Sequence, residues 1–126
     1  MAGRNDRRRR STAALALLPA LVLSGASCAG RIATPTYRGD VRPILEARCF
    51  RCHGEEEDLQ AGLDLRFYRT IVEGGQSGPA LVPGKPEESL LWEMVSQDEM
   101  PPEGEKLTEQ EVALIRRWIA EGARER

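Results

Sequence analysis

Cys49-Phe50-Arg51-Cys52-His53 places two thiols three positions apart and an imidazole directly behind the second. Few arrangements use all three groups. A redox dithiol would employ the C-x-x-C pair, but the flanking sequence lacks the βαβ pattern that carries one. A zinc site needs a fourth ligand, and no Cys or His follows His53, the single histidine of the chain. A structural disulfide would leave the adjacent histidine without a purpose. C-x-x-C-H is also the attachment site of c-type haem, and that chemistry employs every member. Two thiols so spaced at a helix end reach the two vinyl groups of one porphyrin and close two thioether bonds. The following imidazole then lies beneath the iron. The expectation is one covalent haem c, anchored by Cys49 and Cys52, with His53 as proximal axial ligand.

A second axial ligand has to come from elsewhere. With no other imidazole, a methionine thioether is the natural soft donor, and a His/Met pair raises the reduction potential. Met94 and Met100 are the candidates after Met1. Met94 falls on the apolar stripe of an expected helix, where methionine ordinarily fills a core. Met100 stands in Asp98-Glu99-Met100-Pro101-Pro102, a loop that prolines stiffen, so it can hold sulfur against iron at small entropic cost. Met100 is the expected distal ligand; the competing reading is a side chain that merely covers the haem.

Charge is distributed unevenly along the 126 residues. The net charge of −2 conceals five arginines and one aspartate within the first ten positions. From Cys28 onward, 13 basic and 19 acidic side chains leave −6. An acidic body without a basic stripe argues against nucleic-acid binding. The basic start precedes Ala13-Ala14-Leu15-Ala16-Leu17-Leu18-Pro19-Ala20-Leu21-Val22-Leu23 and then Ser24-Gly25-Ala26-Ser27. Charged, apolar and small-residue regions in that order read as an export signal over residues 1–27. A basic arm ahead of a buried helix fits less well, since the apolar run has no polar face and contains Pro19. Arg9-Arg10 could open a twin-arginine signal, but the rest of that motif is absent. No apolar run reaches the ~20 residues a spanning helix needs.

Cys28 follows the signal directly, a placement that resembles a bacterial lipoprotein, in which that cysteine is acylated and anchors the chain to the membrane. Gly25 departs from the aliphatic residue usual three positions earlier, and Ser24-Gly25-Ala26 also suits an ordinary signal peptidase. Cys28 is therefore expected to be acylated or discarded, because a third, unpaired thiol is a liability in an oxidising compartment. Residues 28–36 read as a short tether, and the periplasm is the expected location.

The remaining chain predicts helices. Asp40 is placed to cap a first helix running to about Cys49, with Pro43 in its first turn and Val41, Ile44, Leu45 and Arg48 along one face. Leu63-Asp64-Leu65 alternates like a short extended piece. Gly74-Gly75-Gln76-Ser77-Gly78-Pro79 and Val82-Pro83-Gly84 are turns. Pro86 opens a helix to about Val95, with Leu90, Leu91, Met94 and Val95 sharing a face. Thr108 and Glu111 form a capping box flanked by Leu107 and Val112 as a hydrophobic staple. Val112, Leu114, Ile115, Trp118 and Ile119 make a wide apolar stripe, and Gly122 ends that helix.

These residues resemble a known family. Asp40 to Leu45, Cys49 to Gly54, Gly62-Leu63-Asp64-Leu65, Gly74-Gly75, Ser77-Gly78 and Val82 to Leu90 carry the likeness, with Met100-Pro101-Pro102, Leu107-Thr108, Arg117-Trp118-Ile119 and Gly122-Ala123. Together they are similar to the planctomycete-type cytochrome c domain, within the class I cytochrome c superfamily. The resemblance implies a small all-α haem domain over residues 37–126, with three to four helices around one covalent haem and the first and last helices crossing near the haem edge. It also implies Cys49 and Cys52 as thioether anchors, His53 as proximal and Met100 as distal ligand. The Val82-Pro83-Gly84 turn and Trp92 are expected to wall the pocket, although packing between helices is the plainer role for Trp92 and Trp118. Glu55-Glu56-Glu57-Asp58 is either a solvated loop or a docking patch for a basic redox partner.

The function that follows is an exported monohaem c-type cytochrome, expected to be a monomer, that passes single electrons between partner proteins and is not an enzyme. Two alternatives stand beside it. A five-coordinate haem protein with a catalytic or gas-sensing role follows if Met100 is not bound, and a non-redox interaction module follows if the haem is only structural.

Overall fold

A computed structural model describes residues 33–126. The export signal at 1–27, Cys28 and residues 28–32 of the tether lie outside the described residues. A wide π-helical turn, Tyr37–Val41, leads into α1 (Arg42–Arg48). Then come α2 (Tyr68–Glu73), α3 (Leu90–Ser96) and α4 (Glu109–Ala120). Arg51–Glu55 forms a second π-helical turn, and Gln60–Gly62 and Pro86–Glu88 are 3-10 turns. No strand occurs among the described residues, so the all-α expectation holds. The Leu63-Asp64-Leu65 piece is extended but pairs with no strand.

The first helical segment begins earlier than Asp40. Thr36 is its cap, accepting the Gly39 N–H at 3.1 Å, while the Asp40 carboxylate accepts the Thr36 N–H at 2.7 Å. Asp40 therefore serves the cap from one turn inside the helix. Tyr37 is 2% exposed and Val41 fully buried, and starting at Tyr37 puts both on the core face. The Arg42 N–H reaches back five residues to the Tyr37 carbonyl, and Pro43 follows with no N–H to place.

The helix expected from Pro86 to Val95 is broken at Ser89, whose backbone is extended (φ −98°, ψ 112°). Its buried hydroxyl accepts the Val82 N–H at 2.9 Å and donates to the Lys85 carbonyl at 2.8 Å. Serine side chains compete with helix in this way, and here the hydroxyl ties down the preceding turn instead of capping α3. Helix α2, six residues long, was too short to show a period in sequence. It stops at Gly74 (φ +81°), where a Cβ would stand 1.8 Å from the Gly78 carbonyl oxygen.

α4 matches expectation. Thr108 and Glu111 form both bonds of the capping box, and Gly122 turns the chain out with φ +98°. Ile115, Trp118 and Ile119 are fully buried beside Val41, Leu45 and Ile71. The Tyr37 ring lies 6.2 Å from both Tyr68 and Trp118, and Tyr68 lies 6.4 Å from Trp118. This aromatic trio joins the start of the fold to α2 and α4, so the first and last helical segments do pack together.

Tyr37 carries one further link. Its hydroxyl donates to the Leu65 carbonyl at 2.8 Å in a buried setting. Burial is the main cause that pushes the phenol up to about 12, with Asp64 adding and Arg42 opposing. The unfolded chain releases this proton near 10, so the phenol's contribution is complete below that pH and is lost as pH rises towards 12. Tyr37→Phe leaves the Leu65 carbonyl unpaired and is expected to cost about 1–2 kcal/mol at neutral pH. Urea melts should show that loss and a shallower decline in stability between pH 10 and 12; an unchanged decline would contradict the assignment.

Candidate functional site

The C-x-x-C-H segment starts where α1 stops. The Cys49 N–H closes the helix on the Leu45 carbonyl at 2.8 Å, and the His53 N–H returns to the Cys49 carbonyl at 2.9 Å. Phe50, 4% exposed, anchors the segment in the core with the Arg42 guanidinium 5.5 Å from its ring centre. His53 leaves the helical region (φ −114°, ψ 34°), and its carbonyl accepts the Leu65 N–H at 2.8 Å. Gly54 is buried beneath Arg66, where a Cβ would meet the Arg66 Cγ at 2.9 Å. The extended Leu63–Leu65 piece thus clamps the motif from behind.

In front of it opens a cleft of about 660 Å³, within the range of ligand sites. Cys49, Cys52 and His53 line it together with Met100, Pro101 and Pro102. All four residues expected to serve the haem therefore face one cavity, Met100 arriving from a distant loop. Met94 is absent from the lining and lies partly buried on α3. The Val82-Pro83-Gly84 turn and Trp92 are not among the residues that line this cleft, and Trp92 takes the plainer packing role expected of it. The turn is held against α4 by the Gly84 N–H on the Ile119 carbonyl at 2.8 Å, and Trp92 packs partly buried under the Arg116 guanidinium, 5.4 Å from its ring centre.

The donor chemistry suits a haem. Both thiols are free. Burial, then the neighbouring Cys52, pushes the Cys49 thiol up to about 11, so it is protonated at neutral pH. Among the described residues no three His, Cys, Asp or Glu side chains converge on a position for a bare ion. His53 Nδ1 is buried without a hydrogen-bond partner, so that nitrogen is not committed to another protein group.

A family model described as Planctomycete cytochrome C matches residues 49–104, from the first thiol to just beyond the Met100 loop. This segment is a planctomycete-type cytochrome c domain. No curated protein and no solved structure matches the chain. A cytochrome c domain implies covalently bound haem c, and Cys49 and Cys52 stand where the C-x-x-C-H motif needs them.

The cytochrome domain holds its methionine loop with groups that no sequence pattern marks. Asp98 adopts a left-handed conformation (φ +57°) after α3, and the N–H groups of Glu99 and Met100 both turn back to the Met94 carbonyl, at 3.0 and 3.2 Å. Met94 therefore contributes its backbone to the loop. The Lys106 ammonium donates to the Asp98 carbonyl at 2.7 Å and to the Pro101 carbonyl, bracketing Met100. Arg48, at the cleft, pairs with Glu105 and lies 3.7 Å from Glu111, which closes the capping box of α4 with Thr108. The Glu105 hydrogen bond is the main cause that pushes its guanidinium above the ordinary arginine value. A single Lys or Arg among many charges gives no signal in sequence; only the fold brings these two to the loop.

Charge-assisted bonds of this kind contribute about 1.5–3 kcal/mol each. Lys106→Gln should loosen the Met100 loop and speed cyanide binding to the ferric holoprotein by about tenfold. Stopped-flow absorbance measures this, and an unchanged rate would remove Lys106 from the clasp.

Proposed function

We propose that this chain is an exported monohaem c-type cytochrome that carries single electrons between partner proteins, with His53 and Met100 as the axial ligands. The observation that supports it best is the arrival of Met100 in the cleft lined by Cys49, Cys52 and His53. Bound haem supplies a one-electron couple. The chain's own residues do the remainder. Cys49 and Cys52 anchor the group covalently, which keeps it from being lost in a dilute compartment. His53 is oriented by its backbone bonds to Cys49 and Leu65. Met100 is offered by a loop tied to Met94 and Lys106. Two protein ligands leave no open position for a substrate, which favours electron transfer over catalysis, and cytochrome c domains usually act in that way.

Cytochrome c domains are typically exported, in keeping with the signal-like residues 1–27. We assign Cys28 as the acylated anchor, residues 28–36 as its tether and residues 37–126 as the haem domain. No helix among the described residues is long and apolar enough to cross a membrane.

Met100→Ala tests the ligation. The ferric holoprotein should lose the weak far-red band of a sulfur–iron bond, fall in midpoint potential and bind carbon monoxide when reduced, with its haem still attached. Met94→Ala should retain the band. If Met94→Ala abolishes it and Met100→Ala does not, the distal assignment is wrong; if the unaltered protein binds carbon monoxide rapidly, the iron has an open position.

A further inference from the structure

Charge at the mouth of the cleft is uncompensated. Four carboxylates line it, Glu46, Glu55, Glu103 and Glu105, with two guanidiniums, Arg48 and Arg51. Glu46 pairs with Arg42 at 2.9 Å, and Glu105 pairs with Arg48. Glu55, Glu103 and Arg51 stand in no ion pair among the described residues. Glu56, Glu57 and Asp58 continue the chain from Glu55, all exposed and equally without an ion pair. The Gln60 amide, also in the lining, donates to the Glu56 carboxylate at 3.4 Å and keeps this run beside the opening. In the Met100 loop Asp98 and Glu99 are exposed and without an ion pair, while the Lys106 ammonium is turned to the Asp98 and Pro101 carbonyls. The two segments that bring His53 and Met100 to the cleft thus carry seven carboxylates without an ion pair, against the two cations Arg51 and Lys106.

A carboxylate that already holds a cation must give it up before it can bind another. These carboxylates have none to give up, and they repel one another until a cationic surface arrives. Each exposed contact is worth little by itself, but their summed field steers encounter from a distance. Binding of that kind forms quickly and releases quickly, as a carrier that serves two partners in turn requires. The lining also exposes Ala47, Pro102 and Gly104, small groups without charge that let another surface approach closely. An uncharged patch with a charged surround is the anatomy of a protein interface, and electron-transfer encounters lie at the small end of the range.

We propose that the mouth of the cleft docks the basic face of a protein partner, whose lysines or arginines meet Glu55 to Asp58 on the His53 segment and Glu103 on the Met100 segment. That electrons cross this contact rests on the cytochrome reading; that the partner is basic rests on the unpaired carboxylates. The location suits such a partner. Glu55 follows His53 by two residues and Glu103 follows Met100 by three, so both acidic contacts adjoin residues assigned to the iron.

The test is a titration of reduced, isotope-labelled holoprotein with a lysine-rich peptide, followed by amide chemical shifts. The largest changes should fall at residues 55–60 and 103–105 and weaken as salt is raised. The double variant Glu55→Gln/Glu103→Gln should bind about tenfold more weakly while its haem spectrum stays native. Glu73→Gln/Glu87→Gln removes the same charge from carboxylates outside the cleft and should leave affinity within about twofold. Equal loss in both double variants would reduce the effect to net charge and overturn the proposal. Shifts centred elsewhere, or the same shifts with free lysine at equal amine concentration, would overturn it as well. A chain that carries no haem yet binds the peptide at 55–60 and 103–105 would contradict the cytochrome reading and leave the docking surface standing. A holoprotein with Met100 on its iron that does not bind the peptide there would do the reverse.

Discussion

One residue, Leu65, joins the packing of this domain to its chemistry through its two backbone polar groups. Its carbonyl accepts the buried Tyr37 hydroxyl and its N–H donates to the His53 carbonyl, each at 2.8 Å. Tyr37 packs against Trp118 and Tyr68, so the position of the His53 backbone is referred to the aromatic trio that joins the first helical segment to α2 and α4. A haem ligand has to be held in place before the metal arrives, since each loose degree of freedom would weaken the bond. Here the direct bonds to His53 are backbone ones, and the buried Tyr37 hydroxyl holds Leu65 behind them.

The other face of the cleft is built differently. Met100 comes from a loop with no regular structure, and its position depends on a left-handed Asp98, the Met94 carbonyl and the Lys106 ammonium. Arg48 ties that loop, through Glu105, to α1 and, through Glu111, to the start of α4. The His53 side thus rests on buried packing and the Met100 side on charge-assisted bonds near the surface. The two sides should differ in rigidity, the Met100 side yielding first.

The parts of this arrangement that could be read from sequence are those carried by local rules. The C-x-x-C-H motif, the Thr108–Glu111 capping box, the Gly122 exit and the apolar stripe of α4 depend on spacing along a few turns, so their neighbours in the chain are their neighbours in space. Met100 was singled out because the choice of soft donors was short, and the fold brings it to the cleft that Cys49, Cys52 and His53 line. What escaped was non-local or hidden by a competing bond. Ser89 looked like the interior of a helix until its hydroxyl was seen serving Val82 and Lys85. The contacts of the Val82–Gly84 turn and of Trp92 with α4 are likewise non-local: the Gly84 N–H bonds to the Ile119 carbonyl and the Arg116 guanidinium lies over the Trp92 ring. The acidic mouth of the cleft draws on Glu55 and Glu103, and no short window along the sequence contains them together.

A porphyrin bound through both thiols is the premise beneath every assignment at the cleft. The most direct measurement is the intact mass of the protein under denaturing conditions, after expression in a host that assembles c-type cytochromes. The account predicts a coloured polypeptide whose mass exceeds that of the apoprotein by one haem, with the added mass on the peptide carrying Cys49 and Cys52. A colourless chain at the apoprotein mass, or a haem that washes away on denaturation, would contradict it.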